Sequence, residues 1–243
     1  MTIDDLFSKL DARVSQAIIH YWATRANQRL RQEGGGKVDH GLRSAVTGGA
    51  QMDGLIDLFT DLIVEAGMPR HFVFRKKALE LPGFFRATKE WDVLVVRNRE
   101  LIAAIEAKSQ VGPSFSNNFN NRTEEAMGSA LDLWTAFREG AFLASVPPFL
   151  GYFFMLEDCP ASRKPVSVNE PHFNVLPEFA NASYLKRYEI FCQKLVLERH
   201  YSSCAFITSA TDPGLLGQFQ TPSPSLSVEG FAKALVAHVS THV

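Results

Sequence analysis

The sequence predicts an α/β fold in which a central mixed β-sheet is flanked by helices on both faces. Short apolar runs bounded by turn residues recur along the chain, and amphipathic stretches at helical spacing fall before, between and after them. A hydrophobic content of 46% over 243 residues supplies a sizeable core without staples. The expectation is a single domain over 1–243, with a helical part at 1–67, a sheet-and-helix part at 71–157, and helices with a strand at 181–243.

Residues 4–30 open the chain as a helix, because Leu6, Leu10, Val14, Ala17, Ile18 and Tyr21 share one face. The run QEGGGK at 32–37 stops it. A second helix is expected from about Gly49 to Glu65, with Met52, Leu55, Ile56, Phe59, Ile63 and Val64 inward. Asp53, Asp57, Asp61 and Glu65 repeat every four residues opposite them, which predicts a solvated face. Strands are expected at 71–81, 91–96, 101–108, 150–157 and 204–209. Asn121 followed by Glu124 reads as a helix cap, with Ala126, Ala130, Leu133 and Phe137 on the buried face and Gly140 as the stop. Further helices are expected at about 183–200 and 228–240, with a loop-rich segment at 211–227 between them.

Lys+Arg 25 against Asp+Glu 26 leaves a net charge of -1, so a polyanionic partner would need a local basic patch. Cys159, Cys192 and Cys204 lack the spacing of a zinc site or disulfide framework and read as reduced thiols. No apolar run approaches the roughly 20 residues of a membrane span, and the expectation is a cytoplasmic protein without membrane contact. The sequence carries no GxSxG motif, P-loop or dinucleotide fingerprint, so no nucleotide cofactor is expected.

The chemistry concentrates in EWDVLVVRNRELIAAIEAK, residues 90–108, which reads as two antiparallel strands around a turn at Asn98. With the turn at 98–100, Arg97 faces Leu101 and Asp92 faces Glu106. Asp92, Glu106 and Lys108 then project from one side of the sheet, together with Leu94, Val96, Ile102 and Ala104. Val93, Val95, Ala103, Ile105 and Ala107 take the other side. Charges in such apolar company cost several kcal/mol unless they are paired, hydrated or holding a cation. Three readings follow: an ion pair at a strand end, a non-catalytic metal site, or a catalytic centre. In the last, Asp92, Glu106 and the Ala107 carbonyl hold Mg²⁺, and Lys108 orients or deprotonates a water or neutralises developing charge.

Asp92 on one strand and Glu106-x-Lys108 on the next resemble the PD-(D/E)xK nuclease core, with Trp91 where that motif has proline. The stretch KSQVGPSFSNNFNNRTEEAMGSALDLWTAFREGAF (108–142), with TGGAQMDG (47–54) and LPGFFRATKEWD (81–92), resembles the XhoI family of Type II restriction endonucleases. The similarity runs over nearly the whole chain. It implies a restriction-endonuclease-like core and a homodimer that hydrolyses both strands of a short palindrome in double-stranded DNA with Mg²⁺. Known relatives cut CTCGAG with 5′ overhangs, and 5′-phosphate ends are expected. Carried over, the catalytic set is Asp92, Glu106 and Lys108, and Asp53 in QMDG is a candidate neighbour of the metal. Another nuclease on the same core, acting in repair or junction cleavage, and a non-cutting DNA-binding protein remain alternatives.

After Lys108 come Ser109, Gln110, Ser114, Ser116, Asn117, Asn118, Asn120, Asn121 and Arg122. Amides pair with adenine, Arg with guanine and hydroxyls with phosphate, whereas asparagines also populate plain turns. A loop leaving the scissile phosphate would reach the adjacent groove, so Gln110, Asn117, Asn118, Asn120, Asn121 and Arg122 are candidate DNA contacts, with Asn118, Asn120 and Arg122 foremost. Weaker candidates for gripping phosphate are Arg25, Arg29, Arg31, Lys37, His40 and Arg43, and Lys186 and Arg187 beside Tyr184.

Overall fold

A computed structural model describes residues 6–34, 49–142 and 145–243. Helix α1 (Leu10–Gly34) buries Leu10, Val14, Ala17, Ile18 and Tyr21, the face its spacing predicts. The second half of the glycine-rich stop, from Gly35 to Lys37, lies outside the described residues, as do His40 and Arg43.

A single 3₁₀ turn, Ala50–Met52, leads into α2 (Asp53–Glu65), which buries Leu55, Ile56, Phe59 and Ile63. Its acidic stripe is not a merely solvated face. Arg13 on α1 reaches Glu65 at 2.7 Å and Asp61 at 3.6 Å. Arg75 pairs with Asp57 and lies 3.2 Å from Asp53, which Lys76 approaches at 3.5 Å. The stripe thus ties α2 to α1 and to the segment that follows.

The stretch expected as one strand over 71–81 divides into β1 (Val73–Phe74) and β2 (Glu80–Pro82). Lys76 and Ala78 between them have φ of 69° and 55°, a left-handed backbone that no strand can continue through. Strand β3 (Thr88–Glu90), which the apolar pattern does not reveal, pairs with β2 in a small separate hairpin.

The main sheet adds β4 (Val93–Arg97), β5 (Glu100–Gln110), β6 (Phe149–Glu157) and β7 (Ser203–Ser209) in the order β1-β4-β5-β6-β7. Pairing is antiparallel from β1 to β5 and parallel from β5 to β7, so the sheet is mixed. The β5-to-β6 crossover contains α3 (Phe115–Arg138). The short α4 (Pro160–Arg163) and the longer α5 (Tyr184–Leu197) separate β6 from β7. The loop-rich segment contains a short helix, α6 (Thr211–Leu215), and a 3₁₀ turn, Pro224–Leu226, and α7 (Val228–Ser240) closes the order where periodicity puts it.

Each face of the sheet has its own core. Val93, Val95, Ala103, Ile105 and Phe153 pack with α1, α2 and α7. Leu94, Ala104, Tyr152, Phe154 and Phe206 pack with α3 and α5. Cys192 and Cys204 are buried in this second core as free thiols, and Cys159 is half-buried. No helix of the described residues is long and apolar enough to cross a membrane.

Candidate active site

The β4–β5 hairpin places the acidic pair by a register that recovers from its own irregularity. Asn98 and Arg99 occupy the turn with φ of 52° and 68°, so the turn is one residue shorter than expected. Arg97 therefore faces Glu100, and Val96 faces Leu101. A bulge then adds Ile102 to β5, and beyond it Val95 faces Ala103 and Val93 faces Ile105. That is the expected register as far as Val93, where the pairing ends; the Asp92 amide then donates to the Ile105 carbonyl at 3.1 Å, one residue short of Glu106. The bulge has one cost to the expected pattern. Ile102 joins the α1/α2/α7 core, and Leu101 takes the side shared with Leu94.

The three charged residues meet. Lys108 Nζ lies 3.1 Å from Glu106 Oε1 and 3.8 Å from Asp92 Oδ2. Asp92 Oδ2 also accepts from the Ala107 amide at 2.8 Å, which fixes its carboxylate across the strand pair. Glu106 is 3% exposed, while the Asp92 and Lys108 side chains are 30% and 27% exposed. Burial alone would push the Glu106 carboxyl up, but the adjacent Lys108 and Lys89 ammonium groups hold it below its ordinary value. Burial opposes charge on Lys108 too, and Glu106 and Asp92 outweigh it, keeping the ammonium form.

Two residues that sequence reasoning passed over complete this cluster. Tyr201, fully buried, directs its hydroxyl toward Glu106 Oε2 at 3.3 Å and toward the Ala126 carbonyl of α3 at 3.0 Å. Burial, and the negative Glu106 beside it, raise this phenol well above its ordinary value, so it stays a donor. Lys89 of β3 lies 3.1 Å from Glu106 Oε1, with its Nζ 4.2 Å from the Trp91 ring centre. Burial pulls the Lys89 ammonium down, and Glu106 pulls the other way.

Lys89 is delivered by a hairpin that α3 holds. The Phe84 and Phe85 amides each donate to Asp132 Oδ1 at 2.7 Å, and Arg86 Nε donates to Oδ2 at 2.8 Å. Gly83 makes this approach possible, since a Cβ there would stand 2.3 Å from the Asp132 carboxylate. Nothing in a single sequence links Asp132 to residues 84–86, whereas Lys89 beside Trp91-Asp92 is a charge next to a charge motif and was open to notice.

Asp92, Ala107 and Lys108 line a cleft of about 660 Å³ together with Arg25, buried Gln51, Asn118 and Arg122. The asparagine run is not a loop. Strand β5 continues to Gln110, a turn over 111–114 contains a cis Gly112–Pro113 peptide, and α3 begins at Phe115 after Ser114. Asn121 is thus inside the helix and not its cap. Buried Phe115, with Phe119 4.9 Å from the Tyr188 ring, anchors these first turns against α5 and outweighs the weak helix propensity of asparagine. Helical spacing puts Asn118 and Arg122 together on the cleft side. Asn117, Asn120 and Asn121 are exposed but do not line the cleft.

Gln110 borders the cleft but is buried, accepting from the Tyr188 hydroxyl. Tyr21 joins α1 to the site through its hydroxyl, 3.1 Å from Ser109 Oγ. Asp53 pairs with Arg75 and Lys76 and does not line the cleft. Arg29, Arg31, Lys186 and Arg187 are absent from its lining as well.

Among the described residues no group of three or more His, Cys, Asp or Glu forms a ready metal cage. Asp92 and Glu106, with the Ala107 carbonyl, could offer oxygen donors alone, the kind that suit Mg²⁺, an ion that retains water and shares phosphate oxygens.

Residues 31–221 match the family model for restriction endonuclease XhoI. The Type II restriction enzyme BstVI of Geobacillus stearothermophilus is 52% identical over 217 residues, 87% of this chain and 96% of that protein. The Type II restriction enzyme XhoI of Xanthomonas vasicola is 44% identical over 197 residues, 79% of this chain and 77% of its own. The Type II restriction enzyme AbrI of Azospirillum brasilense is 47% identical over 164 residues, 67% of this chain and 73% of its own. No solved structure matches the chain significantly. With a model covering most of its length and relatives this similar, the chain belongs to the XhoI family of restriction endonucleases.

Proposed function

We propose that this protein is a Mg²⁺-dependent Type II enzyme that cuts double-stranded DNA at a short palindrome, CTCGAG by family likeness, through Asp92, Glu106 and Lys108. The observation that carries the reading is the meeting of Lys108 with both carboxylates, 3.1 Å from Glu106 and 3.8 Å from Asp92, at the edge of a cleft that Arg122 and Asn118 also border.

Asp92, Glu106 and the Ala107 carbonyl would hold the divalent ion, which when bound would polarise the scissile phosphate and acidify a water. Lys108, kept as an ammonium by its two partners, orients the attacking water and opposes the charge that builds on the phosphorane oxygens. Attack at phosphorus breaks the P–O3′ bond, leaving a 3′-hydroxyl and a 5′-phosphate. Asp92 holds the geometry through Ala107, and Tyr201 anchors Glu106 from beneath.

Arg122 and Asn118 are the best-supported DNA contacts, with Arg25 lining the same cleft. Asn117, Asn120 and Asn121, on other sides of the same turns, fit contacts to the flanking backbone. A palindrome offers two identical half-sites, which a two-fold homodimer of one folded domain would match with two identical cleavage centres.

Digestion of a plasmid bearing CTCGAG, followed by sequencing of the ends, tests this reading. Discrete fragments with 5′-phosphate ends at that site are expected. Diffuse degradation would indicate a nuclease of another type, and binding without cleavage a protein whose charged cluster is structural.

A further inference from the structure

Glu106 is matched by two ammonium groups, where one would neutralise it. Lys89 and Lys108 lie at 3.1 Å from the same oxygen, Oε1, while Oε2 faces Tyr201 in the interior. Oε1 is therefore the oxygen on the side of Asp92, which Lys108 also approaches. An ion bound jointly by Asp92 and Glu106 would need that oxygen.

Lys89 is built in and not a passing surface charge. Its side chain is 12% exposed, its Nζ donates to the Glu90 carbonyl at 2.9 Å, and it lies over buried Trp91. The hairpin that carries it is pinned by the buried carboxylate of Asp132. The cluster thus pairs two acidic side chains, Asp92 and Glu106, with two basic ones, Lys89 and Lys108, before any metal arrives.

We propose that Lys89 is a resident counter-cation of the active centre, a positioning residue that occupies Glu106 Oε1 until a divalent ion takes that oxygen and displaces the ammonium. The inference rests on the reading of Glu106 and Asp92 as metal ligands. Lys89 balances and orders the Glu106 carboxylate in the free protein, and it raises the concentration of metal the protein needs.

The test is calorimetric titration of Mn²⁺ alone into the full chain, without DNA, for wild type, Lys89→Met, Lys89→Gln, Lys89→Arg and Glu106→Gln. Removing a like charge beside the ion should lower the Mn²⁺ Kd of Lys89→Met about tenfold, because the apolar stem stays on Trp91 and Lys108 still neutralises Glu106. Lys89→Gln should move the same way, which covers a misfolded Met variant, and Lys89→Arg should stay near wild type. A merely structural lysine would give the opposite sign, since loosening Glu106 weakens binding. Mn²⁺ affinity that is unchanged or lower in folded Met and Gln variants overturns the inference about Lys89. Unchanged binding in Glu106→Gln instead removes Glu106 as a ligand, and the inference about Lys89 falls with it.

Discussion

Asp92 accepts a hydrogen bond from the amide of Ala107 at 2.8 Å, one residue beyond Glu106 on the neighbouring strand. One carboxylate therefore has two duties, holding the hairpin end and supplying charge to the site. Substitution can separate them. Asp92→Asn keeps an oxygen that can accept from Ala107, so its stability should fall by less than about 1 kcal/mol while cleavage is lost. Asp92→Ala leaves the Ala107 amide without its acceptor and should cost about 1–3 kcal/mol as well as activity. Urea unfolding beside a cleavage assay checks both.

Arg122 borders the cleft on the same side of α3 as Asn118, held at 2.6 Å from Glu125. Arg122→Ala should weaken specific DNA binding by about 1–3 kcal/mol. Asn120→Ala, outside the cleft lining, should change it less. Equilibrium binding to one duplex at fixed salt, in Ca²⁺ in place of Mg²⁺, ranks the two. An equal or larger loss in Asn120→Ala would mean that the DNA follows a different side of the helix.

The charged trio was legible because Asp92, Glu106 and Lys108 belong to one local hairpin, where alternation and a turn fix which residues share a side. Even so, the turn is one residue shorter than alternation predicts, and the bulge at Ile102 restores the register before the site. The start of α3 at Phe115 is hidden in the sequence because amide clusters look like turn chemistry. What decides the matter is the packing of Phe115 and Phe119 on α5, a contact between distant segments. The Asp132 clasp and Tyr201 were illegible for the same reason: Asp132 is 46 residues from Arg86, and Tyr201 is 95 from Glu106.

That clasp should titrate. Burial favours the neutral Asp132 carboxyl, but Arg86 and the Phe85 and Phe84 amides outweigh it and hold the group below its ordinary value. Its stabilising contribution is then complete above the unfolded carboxylate value of about 3.9 and is lost as pH falls through the lower folded value. Asp132→Asn should be less stable than wild type by about 2–3 kcal/mol at pH 7, with the gap narrowing only below about pH 4. Denaturant midpoints across pH 3–7 measure the gap. A gap that narrows already between pH 7 and 5 would contradict the depressed carboxyl.

The most direct measurement is single-turnover cleavage of a CTCGAG duplex by Lys108→Ala, paired with binding of the same duplex in Ca²⁺. Loss of the ammonium that faces both carboxylates should slow cleavage by about 10²–10⁴-fold, with binding affinity changed by less than about tenfold. Cleavage at the wild-type rate, with binding intact, would contradict the assignment of this cluster as the cutting centre.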